Sequence, residues 1–299
     1  MVKKSRPFQI FCIIFTAFIV ILVTAPLVSL AFRPSAAPVT AIAEQDTPVA
    51  ASGPRAVIVS DESSNFRSDN LPIYDSLTVA ERKTRKLETK LPVIEPYYGE
   101  KVVYLTFDDG PDPDNTPIIL DILNKNQVKG TFFVIGTQVE KHPELLRRIY
   151  ADGHAIGNHS YNHIYRELYQ SVASYLGQLY RTDDIIRKEL GVRPRISRAP
   201  GGSAGSFSKV YWDKLKDDGY IEVGWNISSG DASAAKAGQI VSNIRYQLNQ
   251  KFLWNHAIVL MHDGRGHSET VKALPDIIKL FKEQGFEFRV INAETPSAW

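Results

Sequence analysis

From Gly99 onward the chain repeats one texture, short runs of β-branched and aromatic residues separated by longer amphipathic stretches, and this alternation limits its possible folds more than any other feature. Strands are predicted at 102–107, 131–135, 154–157, 195–199, 220–225, 257–261 and 286–291. Helical periodicity falls between them, as at 117–126, 144–152 and 271–284. Repeated strand–helix units imply a mainly parallel α/β sheet, either open and doubly wound or closed as a barrel. In both architectures the working groups gather at the carboxyl ends of the strands.

The polar residues obey that rule. Asp108 and Asp109 follow the first strand, His159 and His163 the third, Arg198 ends the fourth, Asp231 follows the fifth and His262 ends the sixth. Chance would scatter such groups over both ends of a sheet, so their common rim marks one site.

Composition narrows the chemistry. Charges nearly balance at 35 Lys+Arg against 33 Asp+Glu, so no basic field calls for nucleic acid, and no feature of the sequence calls for a protein partner. The single cysteine, Cys12, can form neither an intrachain disulfide nor a thiolate cluster. Any metal must therefore sit on histidine and carboxylate. His159-Ser-Tyr-Asn-His163 spaces two imidazoles four residues apart, and on a helical turn both would face one way and grip one cation. A carboxylate from the Asp108 and Asp109 pair completes a two-histidine, one-carboxylate set that leaves positions open for water and substrate. Because successive side chains leaving a strand diverge, one aspartate can bind metal while its neighbour faces the attacking water as a base.

His262 reads two ways, as a proton donor to a leaving group or as a satisfied, half-buried histidine. His154 is expected to be buried and structural, and His142, His256 and His267 carry no functional context. Asp112, Asp114 and Asn115 read as caps or turn formers. A rival motif is Gly201-Gly-Ser203-Ala-Gly205, a G-x-S-x-G pattern followed in order by Asp231 and His262. A Ser203 hydrolase would leave Asp108, Asp109, His159 and His163 unexplained, so the metal reading is preferred.

The first third of the chain reads as an address and a tether. Lys3, Lys4 and Arg6 precede a run from Phe8 to Phe32 without a charged residue, longer than the roughly 20 residues that span a hydrocarbon core. Residues 1–32 are therefore expected to be a single-pass membrane anchor that leaves the rest of the chain outside the cytoplasm. Cleavage near Ser29-Leu30-Ala31 is the alternative and would make the protein secreted. Residues 33–99 are expected to be a flexible stalk, first rich in Ala, Pro and Val, then polar, with 79–88 read as a solvated face. The domain itself is expected at 100–292, with a tail at 293–299.

Thr106-Phe-Asp-Asp-Gly-Pro111, His159-Ser-Tyr-Asn-His163, Arg198-Ala-Pro-Gly-Gly202 and Leu260-Met-His262, in that order, resemble the polysaccharide deacetylase family, carbohydrate esterase family 4, with its NodB homology domain. The likeness spans about residues 100 to 291. It implies a distorted (β/α)7-type barrel and hydrolysis of acetyl groups on N-acetylhexosamine polymers. One divalent cation is implied, zinc in first place, with cobalt, nickel or manganese as alternatives. Position by position, the resemblance implies Asp108 as general base, Asp109, His159 and His163 as metal ligands, and Arg198 as the group that orients Asp108. It further implies the Gly201 N–H as oxyanion donor, Leu260 as lining of an acetyl-methyl pocket, His262 as general acid and Asp231 as its tether. Two positions depart from the family pattern, where an aromatic residue is usual. They hold Gly201 and Ala232, which leaves Trp225 or Trp254 to supply a stacking surface.

The resulting expectation is an exported deacetylase acting on N-acetylglucosamine in cell-wall glycan, peptidoglycan above all, or on chitin-like oligomers. An O-acetyl polysaccharide esterase with the same site, and a glycan-binding or morphogenetic protein without turnover, are the alternatives.

Overall fold

The computed structural model describes residues 55–59 and 69–298. Eleven strands follow in chain order: β1 Val57–Val59, β2 Ile73–Asp75, β3 Val102–Asp108, β4 Thr131–Val134, β5 Ala155–Asn158, β6 Arg193–Pro194, β7 Ile196–Ser197, β8 Ile221–Glu222, β9 Ile227–Ser228, β10 Ala257–His262 and β11 Glu287–Arg289. Eight of them form one sheet along the path β8-β7-β5-β4-β3-β10-β9, with β11 also on β3, and every pairing in it is parallel.

Chain connectivity forces this sheet to curl. Strands β8 and β9 sit at opposite ends of the path, yet only residues 223–226 separate them. Laid flat at about 4.8 Å per strand, the ends would stand about 29 Å apart, whereas five Cα–Cα steps reach at most about 18 Å. The expected (β/α)7 barrel is thus a parallel-sheet half-barrel. The strand expected at 220–225 is two short pieces with different partners, β8 on β7 and β9 on β10, and among the described residues no ladder closes the seam between them.

Alternation along the strands explains where the site lies. In β3, Val103, Leu105 and Phe107 pack outward against the helices, with Ile119, Leu123 and Ile277 among their cluster, while Val102 and Tyr104 point inward with Phe133, Ala155, Ile196 and Ile258. Period two continues the inward row through Thr106 to Asp108. In β10 the outward residues are Ala257, Val259 and Met261, so the inward row runs Ile258, Leu260, His262. Both rows turn from apolar to ionisable at their carboxyl ends, which fixes the functional rim.

The domain begins earlier than the expected boundary at residue 100. Within the expected 33–99 stalk, β1 and β2 pair in parallel, and β2 pairs antiparallel with β6 in a separate three-stranded sheet. The helix Val79–Thr84, read from sequence as a solvated face, carries a capping box in which Thr78 and Glu81 satisfy each other's backbone N–H. Its Arg82 is buried against Asp75. Asp75 also accepts from Arg193 and Arg195, so three guanidinium groups from the half-barrel and its N-terminal extension meet one carboxylate. The expected tail is likewise integrated, since Tyr97 N–H donates to the Glu294 carbonyl at 2.8 Å and Ala298 is buried. The expected anchor, 1–32, lies outside the described residues; among the described residues no helix is long and apolar enough to cross a membrane.

Candidate active site

Strand β3 delivers its two aspartates in different directions. Asp108 ends the inward row, 2% exposed, and Asp109 follows with a left-handed φ of 77° that swings its side chain away from the strand. Gly110 is required next, because a Cβ there would overlap the Asp263 carboxylate.

Asp109 meets both histidines. Its Oδ1 lies 3.5 Å from His159 Nε2 and 3.3 Å from His163 Nε2, and it is buried without a hydrogen-bond partner among the described residues. A tetrahedral cation with ligands at 2.0–2.1 Å needs ligand atoms separated by about 3.3 Å. Both oxygen–nitrogen separations match that spacing and all three ligand atoms lie within 4.8 Å of one another, so the set can hold a divalent ion, and an orphaned carboxylate oxygen between two imidazoles is costly without one. His159 Nδ1 is 2.8 Å from the Arg198 carbonyl and donates to it, which leaves the Nε2 lone pair facing Asp109. Burial holds this imidazole below its usual pKa, despite the nearby Asp108 and Asp109, and so keeps it in the ligating form.

The helical turn expected for residues 159–163 is absent. Ser160 and His163 both adopt left-handed φ, at 70° and 58°, and the segment is a loop held by Asn158 Oδ1 accepting from Ser160 N–H and Ser160 Oγ accepting from His163 N–H. The imidazoles converge because this loop folds back; helical i,i+4 spacing plays no part.

Arg198 is fully buried and holds Asp108 as expected. Its Nη1 donates to Asp108 Oδ1 at 2.9 Å and to Thr106 Oγ1 at 2.7 Å, Nε donates to the Val223 carbonyl and Nη2 to the Gly224 carbonyl. The guanidinium also stacks on Phe133, 4.2 Å from the ring centroid. Residues 223–224 lie on the seam-crossing segment, so the break in the barrel supplies the carbonyls that fix this arginine.

Across the rim, His262 Nδ1 is 2.8 Å from Asp231 Oδ1, and its backbone N–H donates to Asp231 Oδ2. Burial pulls the imidazole down, but the hydrogen bond to Asp231 and the charges of Asp108, Asp231 and Asp109 outweigh it and raise His262 to about 9. Asp231 falls to about 2: burial raises it, while His262, Thr270 and Ser229 stabilise its charge. His262 is thus a largely buried imidazole held by Asp231 and favoured in its protonated form. His267, set aside at the sequence level, stacks on His262 with ring centroids 4.8 Å apart. Together with Asp231 and His262 it forms a second geometric cluster. Both Asp231 oxygens already accept hydrogen bonds from Ser229, Thr270 and His262, so this cluster has no carboxylate lone pair left to aim at an ion. Two further acids escaped the sequence reading because only burial reveals them. Burial pushes Asp263, held by the Thr116 hydroxyl, and Glu222, held by Ser197 and Ala199, each up to about 7.

Gly201 sits in a turn with φ 72°, is exposed, and donates its N–H to no group among the described residues. Leu260 belongs to the inward row of β10, one turn of the pleat below the rim. Ser203 is not assembled with Asp231 and His262 as a nucleophile elbow. The elbow needs a sharp strand-to-helix turn, and here β7 ends at Ser197 while the next helix, Lys209–Asp217, starts twelve residues later. Of the two candidate tryptophans, Trp225 lies beside Gly202, whose added Cβ would stand 3.0 Å from its ring. Trp254 precedes β10, at the other end of the strands, where it packs on Phe286. Ala232 is exposed on the 3-10 turn Asp231–Ser233.

A family model described as Polysaccharide deacetylase matches residues 96–223. A peptidoglycan-N-acetylglucosamine deacetylase of Bacillus cereus is 33% identical over 201 residues, 65% of this chain and 71% of that protein. A chitooligosaccharide deacetylase of a Bradyrhizobium species is 32% identical over 208 residues, 63% of this chain and 88% of that protein. Among solved structures, a Streptococcus mutans CE4 esterase superposes with a TM-score of 0.61 at 32% identity, covering 65% of this chain and 87% of that one. With its four ordered motifs converging on one rim, the chain belongs to the polysaccharide deacetylase family.

Proposed function

We propose that this hydrolase removes the N-acetyl group from N-acetylglucosamine residues of an extracytoplasmic glycan, peptidoglycan above all, using one divalent cation with zinc first in rank. The observation that carries the reading is the orphaned Asp109 oxygen between His159 and His163, set beside an Arg198-held Asp108 and facing an Asp231-held His262. The names of the Bacillus and Bradyrhizobium relatives support the substrate class, and the charge-free run from Phe8 to Phe32 supports delivery to the wall.

Asp109, His159 and His163 would hold the cation, which when bound polarises the acetamide carbonyl and lowers the pKa of its water from about 15.7 towards about 7. Asp108 accepts a proton from the water that attacks the acetyl carbon, and Arg198 keeps that carboxylate aimed. The Gly201 N–H donates to the developing oxyanion, a contribution worth on the order of 10²-fold or more. His262 then gives its proton to the amine nitrogen as the carbon–nitrogen bond breaks, releasing acetate and a free amino sugar, and Asp231 stabilises the imidazolium before that transfer. Leu260 bounds the methyl side of the acetyl group. An O-acetyl esterase would use the same groups on an easier leaving oxygen, and the likeness to a Streptococcus mutans CE4 esterase supports that second reading.

The test is acetate release from chitotetraose, from muramidase-digested wall and from an O-acetylated xylan by zinc-loaded protein, with and without a chelator. Release from the first two that stops with chelator and returns with zinc supports the proposal. Release only from the xylan transfers the reading to the esterase, and release that survives chelation sinks the metal mechanism.

A further inference from the structure

Gly201 adopts a backbone conformation that side chains avoid, and the volume a side chain would occupy there is already filled. A Cβ on Gly201 would stand 2.7 Å from Tyr165 Oη and 2.8 Å from Tyr165 Cε1. The Tyr165 phenol therefore lies directly against the loop whose N–H is assigned to the oxyanion. The same ring meets the His163 imidazole edge-on, with centroids 5.4 Å apart. One side chain thus touches both a metal ligand and the oxyanion loop.

Tyr165 is also braced from behind. It packs on Tyr169 at 5.9 Å, and the Tyr169 hydroxyl donates to the Pro200 carbonyl at 2.6 Å, one residue before Gly201. Despite this bracing Tyr165 is 51% exposed, and its hydroxyl has no hydrogen-bond partner among the described residues. Tyr220 and Tyr74 differ on both counts: they are buried, with hydroxyls bonded to Asp183 and to the β5 backbone. The Trp225 ring stands against the next residue, 3.0 Å from where a Gly202 Cβ would lie. The Gly201-Gly202 backbone is therefore flanked by two aromatic rings, Tyr165 at the first glycine and Trp225 at the second. A pyranose ring suits such surroundings, since its axial C–H groups meet the negative face of an aromatic ring and its hydroxyls need donors nearby.

We propose that Tyr165 is a substrate-contacting and specificity-determining residue of this site. Its ring forms one wall for the acetylated sugar, and its hydroxyl supplies a hydrogen bond to that sugar beside the Gly201 N–H. The proposal rests on the glycan deacetylase reading above and names the wall of the same site. It assigns Tyr165 no proton transfer.

Zinc-saturated wild type, Tyr165→Phe and Tyr165→Ala are compared for chitotetraose turnover, for chitotetraose binding by calorimetry, and for zinc affinity by chelator competition. Tyr165→Phe keeps the packing on His163 and removes only the hydroxyl, so kcat/KM is expected to fall about tenfold with zinc affinity unchanged within twofold. Tyr165→Ala is expected to raise KM and the chitotetraose Kd about tenfold or more under zinc saturation. A residue that merely supported His163 would weaken zinc binding and leave KM and Kd unmoved. KM and Kd within twofold of wild type in both variants overturn the proposal. If wild type binds chitotetraose without releasing acetate, the deacetylase reading fails while the Kd comparison still decides the role of Tyr165. Wild type that neither binds nor deacetylates chitotetraose or digested wall overturns both.

Discussion

Asp75 and Asp109 are both carboxylates beside nitrogen-bearing side chains, and they are provisioned in opposite ways. Asp75 is wholly buried, and its two oxygens accept from the Leu77 N–H and from Arg82, Arg193 and Arg195, with Arg82 contributing two bonds. Every lone pair is spent, and the three arginines hold the carboxyl below the usual range although burial alone would raise it. Asp109 has two imidazoles within 3.5 Å of an oxygen that accepts nothing. The Asp75 cluster binds the N-terminal extension to the domain, whereas the Asp109 cluster keeps its ligand atoms in reserve. Unspent polarity in a buried setting is thus what separates a site from a staple.

The sharpest way to break this contrast is to remove the reserved carboxylate. Asp109→Ala is expected to reduce zinc affinity by more than the roughly 10–100-fold that loss of an outer partner costs, and to bring acetate release to background; calorimetric zinc titration measures it. Unchanged zinc binding would mean that the ion site lies elsewhere. Asp108→Asn should lower kcat by about 10²–10⁴-fold with zinc still bound, and lost zinc occupancy would show that the two aspartates have exchanged roles. Asp75→Ala leaves three buried arginines without their shared partner and should cost about 3–5 kcal/mol of stability in urea unfolding. Turnover by the fraction that remains folded should be nearly unchanged. Loss of turnover without loss of stability would erase the distinction between the two clusters.

The smallest effect is on pH dependence. His262 must carry a proton to act as acid, and Asp231 keeps it protonated up to about 9, so activity is expected to fall as pH rises through that value. Asp231→Asn removes the charge that raises His262, and the alkaline limb of kcat should move down by more than one pH unit, towards the ordinary imidazole value near 6.5. A limb that stays at 9 would assign the proton to another group.

Much of this was readable before any geometry. The inward rows of β3 and β10 follow from alternation, and Asp108, His262 and Arg198 stand at predicted strand ends. What sequence could not supply was contact between distant residues. Asp75 meets Arg193 and Arg195, 118 and 120 positions away, so residues 69–90 looked like linker. The loop at 159–163 depends on two left-handed residues that are not glycines, which no periodicity signals. Tyr165 matters because of space that a glycine leaves open 36 positions later, and His267 because its ring lies flat on His262. The short, five-position interval between His262 and His267 was the one available hint.

Strand β3 has neighbours on both edges along its length, β10 on one side and β11 followed by β4 on the other. Its amide protons are therefore expected to trade with deuterium only when the whole domain opens. The loop bearing His159 and His163 is tied down as well: His159 N–H donates to the Val134 carbonyl, the Thr182 hydroxyl to the Ser160 carbonyl, and the Tyr161 and Asn162 N–H groups to Gln178 Oε1. All three candidate ion ligands thus ride on segments anchored to the sheet or its helices, so stripping the ion is expected to leave the half-barrel folded and to be reversible without a refolding step.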